Sequence, residues 1–198
     1  MKEPTIILGS KIITPLKVIE NGMVIVNNDG MIEYIGEEKK AADLVSYNNI
    51  YKGEYIVPGF IDIHCHGGNG YDTMDSTYEA LKGISKFKAK NGCTGFLTTT
   101  TTSSVIETAK ALNNVKGYKE QSPEEGAEIL GVHLEGPFIN AKQKGAQRED
   151  LIMPLSTEIM KKFITELYYW GITIKDVNKK YLRHMNFTGI LLQEWVLN

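Results

Sequence analysis

The sequence predicts an α/β protein. A small β-sandwich-like domain spans residues 1–57, the first β/α units of a parallel sheet span 58–166, and a tail without consistent local signals spans 167–198. Short β-branched and aromatic runs separated by turn signals fill the first segment. From Pro58 the rhythm becomes strand, helix, strand, helix, the pattern of parallel strands joined by crossover helices. After about Leu167 strand alternation and capped helical periodicity both lapse, and local signals disagree.

In the N-terminal segment the predicted strands are Thr5–Leu8, Met23–Val26, Met31–Ile35 and Tyr55–Val57. Asn27-Asn28-Asp29-Gly30 joins the second to the third as a hairpin, because these residues tolerate the backbone angles of tight turns. Past Pro58 the first strand is Gly59–His64. A capping box at Ser76-Thr77-Tyr78-Glu79 then opens a helix carrying Leu81, Ile84 and Phe87, which ends near Asn91-Gly92. Strand Gly95–Thr100 follows, then a helix from the box Ser104-Val105-Ile106-Glu107 to about Lys116, with Gly117 placed to stop it. The third strand is Glu128–His133, and after a loop rich in Gly and Pro a helix runs from Thr157 to about Leu167.

Composition bounds the function. The 22 basic and 24 acidic residues are spread along the chain, with a net charge of -2, so no basic stripe is available to track a nucleic-acid backbone. No apolar run approaches the roughly 20 residues of a spanning helix, and the apolar stretch at the N-terminus is too short for a signal peptide. The expectation is a cytoplasmic protein without membrane or nucleic-acid partners. Cys65 and Cys93 lack C-x-x-C spacing and read as two free thiols.

Three clusters carry chemistry. In Asp62-Ile63-His64-Cys65-His66 the period of two puts both imidazoles on one side of an extended segment, where they can grip one metal ion. They stand where an apolar run yields to Gly67-Gly68-Asn69-Gly70, at the C-terminal end of a buried parallel strand. A bare His-x-His pair also suits a turn with no ligand; the strand-end position and the glycines favour metal. Glu135 repeats that position at the exit of another apolar strand, where a carboxylate completes a mixed nitrogen and oxygen ligand set. His133 shares its face and reads either as a neighbour of the ligands or substrate, or as a satisfied core residue. The loop Lys142–Arg148 offers three cations, a glycine and amide donors, which suits an anionic substrate or an ordinary solvated loop.

Pro58-Gly59-Phe60-Ile61-Asp62-Ile63-His64-Cys65-His66-Gly67 resembles the first barrel strand of the amidohydrolase superfamily. Gly131-Val132-His133-Leu134-Glu135-Gly136-Pro137-Phe138, followed by Lys144-Gly145-Ala146-Gln147, resembles more specifically the N-acetylglucosamine-6-phosphate deacetylases. The resemblance runs from about residue 5 to about residue 166. It implies a (β/α) TIM-type barrel, of which this chain holds part, with His64, His66 and Glu135 as metal ligands and Gly145, Ala146 and Gln147 contacting the substrate. It further implies one or two divalent ions, zinc with iron as the alternative, an amino-sugar phosphate as the small-molecule partner, and homo-oligomers. The implied reaction is hydrolysis of the acetamide of N-acetylglucosamine 6-phosphate to glucosamine 6-phosphate and acetate. A cyclic-amide hydrolase of the same superfamily, or a non-catalytic fragment, is the alternative.

The match also departs from that family. A full barrel of this kind takes roughly 250 residues, so at most about four strands fit after Pro58. The resemblance requires two further ligand histidines and a general-base aspartate from later strands. After His133 the chain has only His184, in a setting that matches no motif of the family. No catalytic base is therefore assigned within this chain. The abrupt end of the resemblance near Glu166 suits a tail read in a shifted frame or a fragment of a gene. The expectation is weak or absent turnover, together with an uncovered sheet edge and poor solubility.

Overall fold

The structure is a computed structural model that describes residues 4–38, 49–121 and 125–168. Its contacts divide the chain into two compact units, at Pro58/Gly59. The predicted tail lies outside the described residues from 169 onward.

In the first unit, β1 (Thr5–Ile13), β2 (Val18–Val26), β3 (Ile32–Glu37) and β4 (Asn49–Ile56) form one sheet in the order β3-β2-β1-β4. β1 pairs antiparallel with β2 and parallel with β4. One sheet is described here; the second layer that a sandwich requires is not among the described residues. The β2–β3 hairpin is where the turn residues place it. Asn27 Oδ1 accepts from the backbone N–H groups of Asp29 and Met31, each at 3.0 Å, replacing strand pairing with a local turn.

Two features of this sheet depart from expectation. β1 and β2 continue to a second hairpin, where the Thr14 hydroxyl accepts from the Lys17 N–H at 3.0 Å and donates to the Lys17 carbonyl at 2.8 Å. β4 begins at Asn49, six residues before the predicted Tyr55. Its side chains are exposed until Ile56, so no hydrophobic alternation marks it, and backbone pairing with β1 alone makes it a strand. Ile6, Met23 and Ile25 are buried in one small cluster, and Ile12, Ile19 and Val24 in another.

In the second unit β5 (Phe60–Cys65) leads into a two-stranded ribbon of β6 (Gly67–Gly68) and β7 (Tyr71–Asp72). Helix α1 (Tyr78–Lys90), strand β8 (Cys93–Thr99), helix α2 (Val105–Glu120), strand β9 (Glu128–His133) and helix α3 (Thr157–Tyr168) follow. The strands form a parallel sheet in the order β5-β8-β9. Central β8 is almost entirely buried, as a parallel strand with neighbours on both sides must be. Leu81 and Ile84 of α1, Leu112 and Val115 of α2, Phe163 of α3, and Phe96, Ile129 and Val132 of the sheet form one core. Each such burial contributes about 2 kcal/mol.

Several boundaries are corrected. The N-cap of α1 is Thr77, whose hydroxyl accepts from Ala80 N–H at 3.2 Å, and not Ser76. Ser76 takes a left-handed conformation that ends the preceding turn, Thr73–Asp75. The box at Ser104 and Glu107 is present with both of its hydrogen bonds. α2 runs through Gly117 to Glu120, because the next turn buries Tyr118 at 2% exposure, which outweighs the roughly 1 kcal/mol cost of a helical glycine. β5, expected to be buried, leaves Phe60, Ile61 and Ile63 about half exposed or more. Among the described residues it pairs on one side only, with β8. Cys65 and Cys93 are buried free thiols.

Candidate metal centre

The C-terminal ends of β5, β8 and β9 are tied together by side chains that double as backbone partners. At β5, Asp62 Oδ1 accepts from His64 N–H at 3.1 Å and the Thr99 hydroxyl accepts from Cys65 N–H at 2.8 Å. The His66 carbonyl accepts from Thr73 N–H at 2.7 Å. Extended backbone held at three successive residues presents His64 and His66 on the same side. Asp62 also pairs with Lys88 of α1. Burial pushes the Asp62 carboxyl upward, but the bonds from Lys88 and His64 outweigh it and hold the acid below its ordinary range. Burial likewise lowers the Lys88 ammonium, and its bonds to Asp62 and Cys65 more than restore it.

Glu135 lies two residues beyond β9. Thr100, just past β8, holds its backbone from both directions: the Thr100 hydroxyl accepts from Glu135 N–H at 3.1 Å and donates to the Glu135 carbonyl at 3.3 Å. Gly136 follows with φ +77, and a Cβ there would run into the side chain and Cα of Thr102. Only glycine suits both the angle and the close approach.

These supports bring three ligand atoms to one point. Glu135 Oε2 is 2.9 Å from His64 Nε2 and 3.0 Å from His66 Nε2, and the two Nε2 atoms are 3.1 Å apart. Donors held 2.0–2.1 Å from one divalent ion, at angles between square and tetrahedral, stand roughly 2.9–3.4 Å from one another, so the set fits a single ion. Two imidazoles and a carboxylate are also the donor chemistry that zinc and ferrous iron accept. The site is partly open, with side-chain exposures of 47%, 35% and 24% for His64, His66 and Glu135.

His133 is buried beneath this point, with its ring 4.6 Å from that of His64 and Nδ1 3.4 Å from the Thr99 hydroxyl. It is a packed neighbour of a candidate ligand. In the loop, Gly145 and Ala146 are exposed, whereas Gln147 turns inward and donates from Nε2 to Glu135 Oε1 at 2.9 Å. Two of the three loop cations are paired with the residues that follow the loop, Arg148 with Asp150 and Lys144 with Glu149. Lys142 is exposed and makes no ion pair among the described residues.

Sequence reasoning missed the supports. Thr98–Thr102 reads as a polar strand end leading into a cap, yet Thr98, Thr99, Thr100 and Thr102 are all buried, and Thr99 and Thr100 fasten the segments that carry the candidate ligands. The available signal was position: these threonines end or directly follow the strand that lies between the other two.

Parallel strands with crossover helices, and a His-x-His pair meeting a glutamate across the strand ends, define the class. The chain belongs to the amidohydrolase family, which it matches over residues 55–174. Within that class several relatives similar to it are N-acetylglucosamine-6-phosphate deacetylases. It is 39% identical over 168 residues to the N-acetylglucosamine-6-phosphate deacetylase of Bacillus subtilis (strain 168), covering 84% of this chain and 42% of that relative. The N-acetylglucosamine-6-phosphate deacetylase structure from Pasteurella multocida is similar with a TM-score of 0.66 at 26% identity, over 81% of this chain and 41% of the other. The fold is also that of a variant deacetylase from Mycobacterium smegmatis in complex with N-acetyl-D-glucosamine-6-phosphate, with a TM-score of 0.70 at 18% identity over 83% and 41%. The chain spans less than half the length of these relatives.

Proposed function

We propose that this chain carries part of the active site of a metal-dependent amidohydrolase that removes the acetyl group of N-acetylglucosamine 6-phosphate, releasing glucosamine 6-phosphate and acetate. The observation that carries the reading is the convergence of His64, His66 and Glu135 on one point, beside the Gly145-Ala146-Gln147 loop. The 39% identity to the Bacillus subtilis deacetylase supports the substrate.

His64, His66 and Glu135 would hold a divalent ion, zinc or iron, and the pair of histidines permits a second. Such an ion polarises an amide carbonyl and makes water a better nucleophile at neutral pH. The protein's own groups do the rest. Asp62 and Thr99 hold the backbone that carries the imidazoles, Thr100 holds that of Glu135, and Gly145, Ala146 and Gln147 would meet the sugar. Lys142, without an ion pair among the described residues, is the loop cation free to face a phosphate. The general-base aspartate that the resemblance calls for is not assigned within this chain, so binding without robust turnover is expected of these 198 residues alone.

The test is calorimetric titration of the zinc-loaded chain with N-acetylglucosamine 6-phosphate and with a cyclic dihydropyrimidine amide, alongside acetate release. Zinc-dependent binding of the sugar phosphate, with acetate release near background, supports the reading. Preference for the cyclic amide contradicts the substrate, and rapid acetate release contradicts the missing base.

A further inference from the structure

We propose that Gln147 is a positioning residue for Glu135: its side-chain amide sets the carboxylate's rotation, and so couples the 141–148 loop to the metal centre. The inference rests on the reading of Glu135 as a metal ligand. It adds to the expected substrate contact a role that acts through the protein.

The two oxygens of Glu135 have divided tasks. Oε2 faces both imidazoles, at 2.9 and 3.0 Å, and Oε1 accepts from Gln147 Nε2 at 2.9 Å. The other end of the same amide is also engaged, because Gln147 Oε1 accepts from Thr102 N–H at 2.6 Å. The amide's orientation follows from chemistry, since a backbone N–H can only donate and the carboxylate oxygen accepts. Reversing the amide would break both bonds.

The backbone of Gln147 is equally constrained. Its N–H donates to the Lys144 carbonyl at 3.0 Å, and its own carbonyl accepts from Lys144 Nζ at 3.4 Å. The close approach of Gly136 to Thr102 brings the Thr102 N–H within reach of the loop. A carboxylate without this bracket rotates about its last torsion, which is broad and roughly two-fold. The bracket holds one oxygen toward the imidazoles before any ion arrives. Partners of metal ligands commonly change affinity by about 10–100-fold when removed.

The 198-residue chain is titrated with zinc against a chromophoric chelator as wild type, Gln147→Leu, Glu135→Ala and the double variant, with thermal unfolding of each recorded in excess chelator. The expected result is a 10–100-fold weaker zinc affinity for Gln147→Leu, with an unfolding midpoint in chelator close to wild type. In the Glu135→Ala background Gln147→Leu should have almost no further effect, because there is no carboxylate left to position. Wild-type affinity in Gln147→Leu overturns the proposal, as does an equal loss in both backgrounds. Equal affinity of wild type and Glu135→Ala would instead overturn the metal-centre reading beneath it.

Discussion

Gly136→Ala tests whether the site's geometry rests on the close approach between the segments that follow β8 and β9. At φ +77 an L-residue costs about 1–2 kcal/mol from its own Cβ. The new methyl would also lie 2.9 Å from the Thr102 Cα, a backbone atom that cannot rotate away. Overpacking of this kind typically costs a further 1–3 kcal/mol or so, making about 2–5 kcal/mol in all. With a urea slope of about 1–3 kcal/mol per molar, the unfolding midpoint should fall by roughly 1 M or more. Gly145→Ala separates the two contributions: its φ is +56, but nothing lies within 4 Å of the added methyl, so only about 1–2 kcal/mol is expected. Urea unfolding followed by circular dichroism measures both variants. A Gly136→Ala midpoint equal to that of Gly145→Ala would refute the argument from backbone crowding.

Two further outcomes follow from the same structure. Phe163→Ala should destabilise the second unit by about 3–5 kcal/mol, because the ring is 1% exposed and joins α3 to the core, and the denaturation midpoint would show it. An unchanged midpoint would mean that α3 is not docked. Hydrogen bonds from the Ser103 and Ser104 hydroxyls hold the Glu107 carboxyl below its ordinary value. Its contribution is therefore present above the unfolded value, about 4.3, and is lost as pH falls through the lower folded value. Gln at this position mimics the protonated acid, so melting curves of wild type and Glu107→Gln should differ near pH 7 and converge only once the pH falls below the lowered folded value. A gap that does not change with pH would contradict the assignment.

How much was legible in the sequence depended on whether a pattern or a position carried the signal. β9, with its apolar run Ile129-Leu130-Gly131-Val132, and the Ser104–Glu107 box were readable because local chemistry and tertiary packing agree there. β4 was half hidden, since it pairs by backbone while its side chains stay in solvent. α2 overran its glycine because burial of Tyr118 is a tertiary effect that no local stop signal reports. In the candidate site, His64, His66 and Glu135 stand out by their strand-end positions. Their supports Lys88, Thr99, Thr100 and the inward turn of Gln147 depend on contacts as many as 45 residues apart, which spacing does not encode.

On the proposed reading His64, His66 and Glu135 together would bind a divalent ion. The most direct measurement is the zinc retained per chain after exhaustive dialysis, compared between wild type and the His64→Ala and Glu135→Ala variants under the same conditions. At least one ion per wild-type chain and a large loss in each variant are expected. Equal retention by all three chains, or none by the wild type, would contradict it.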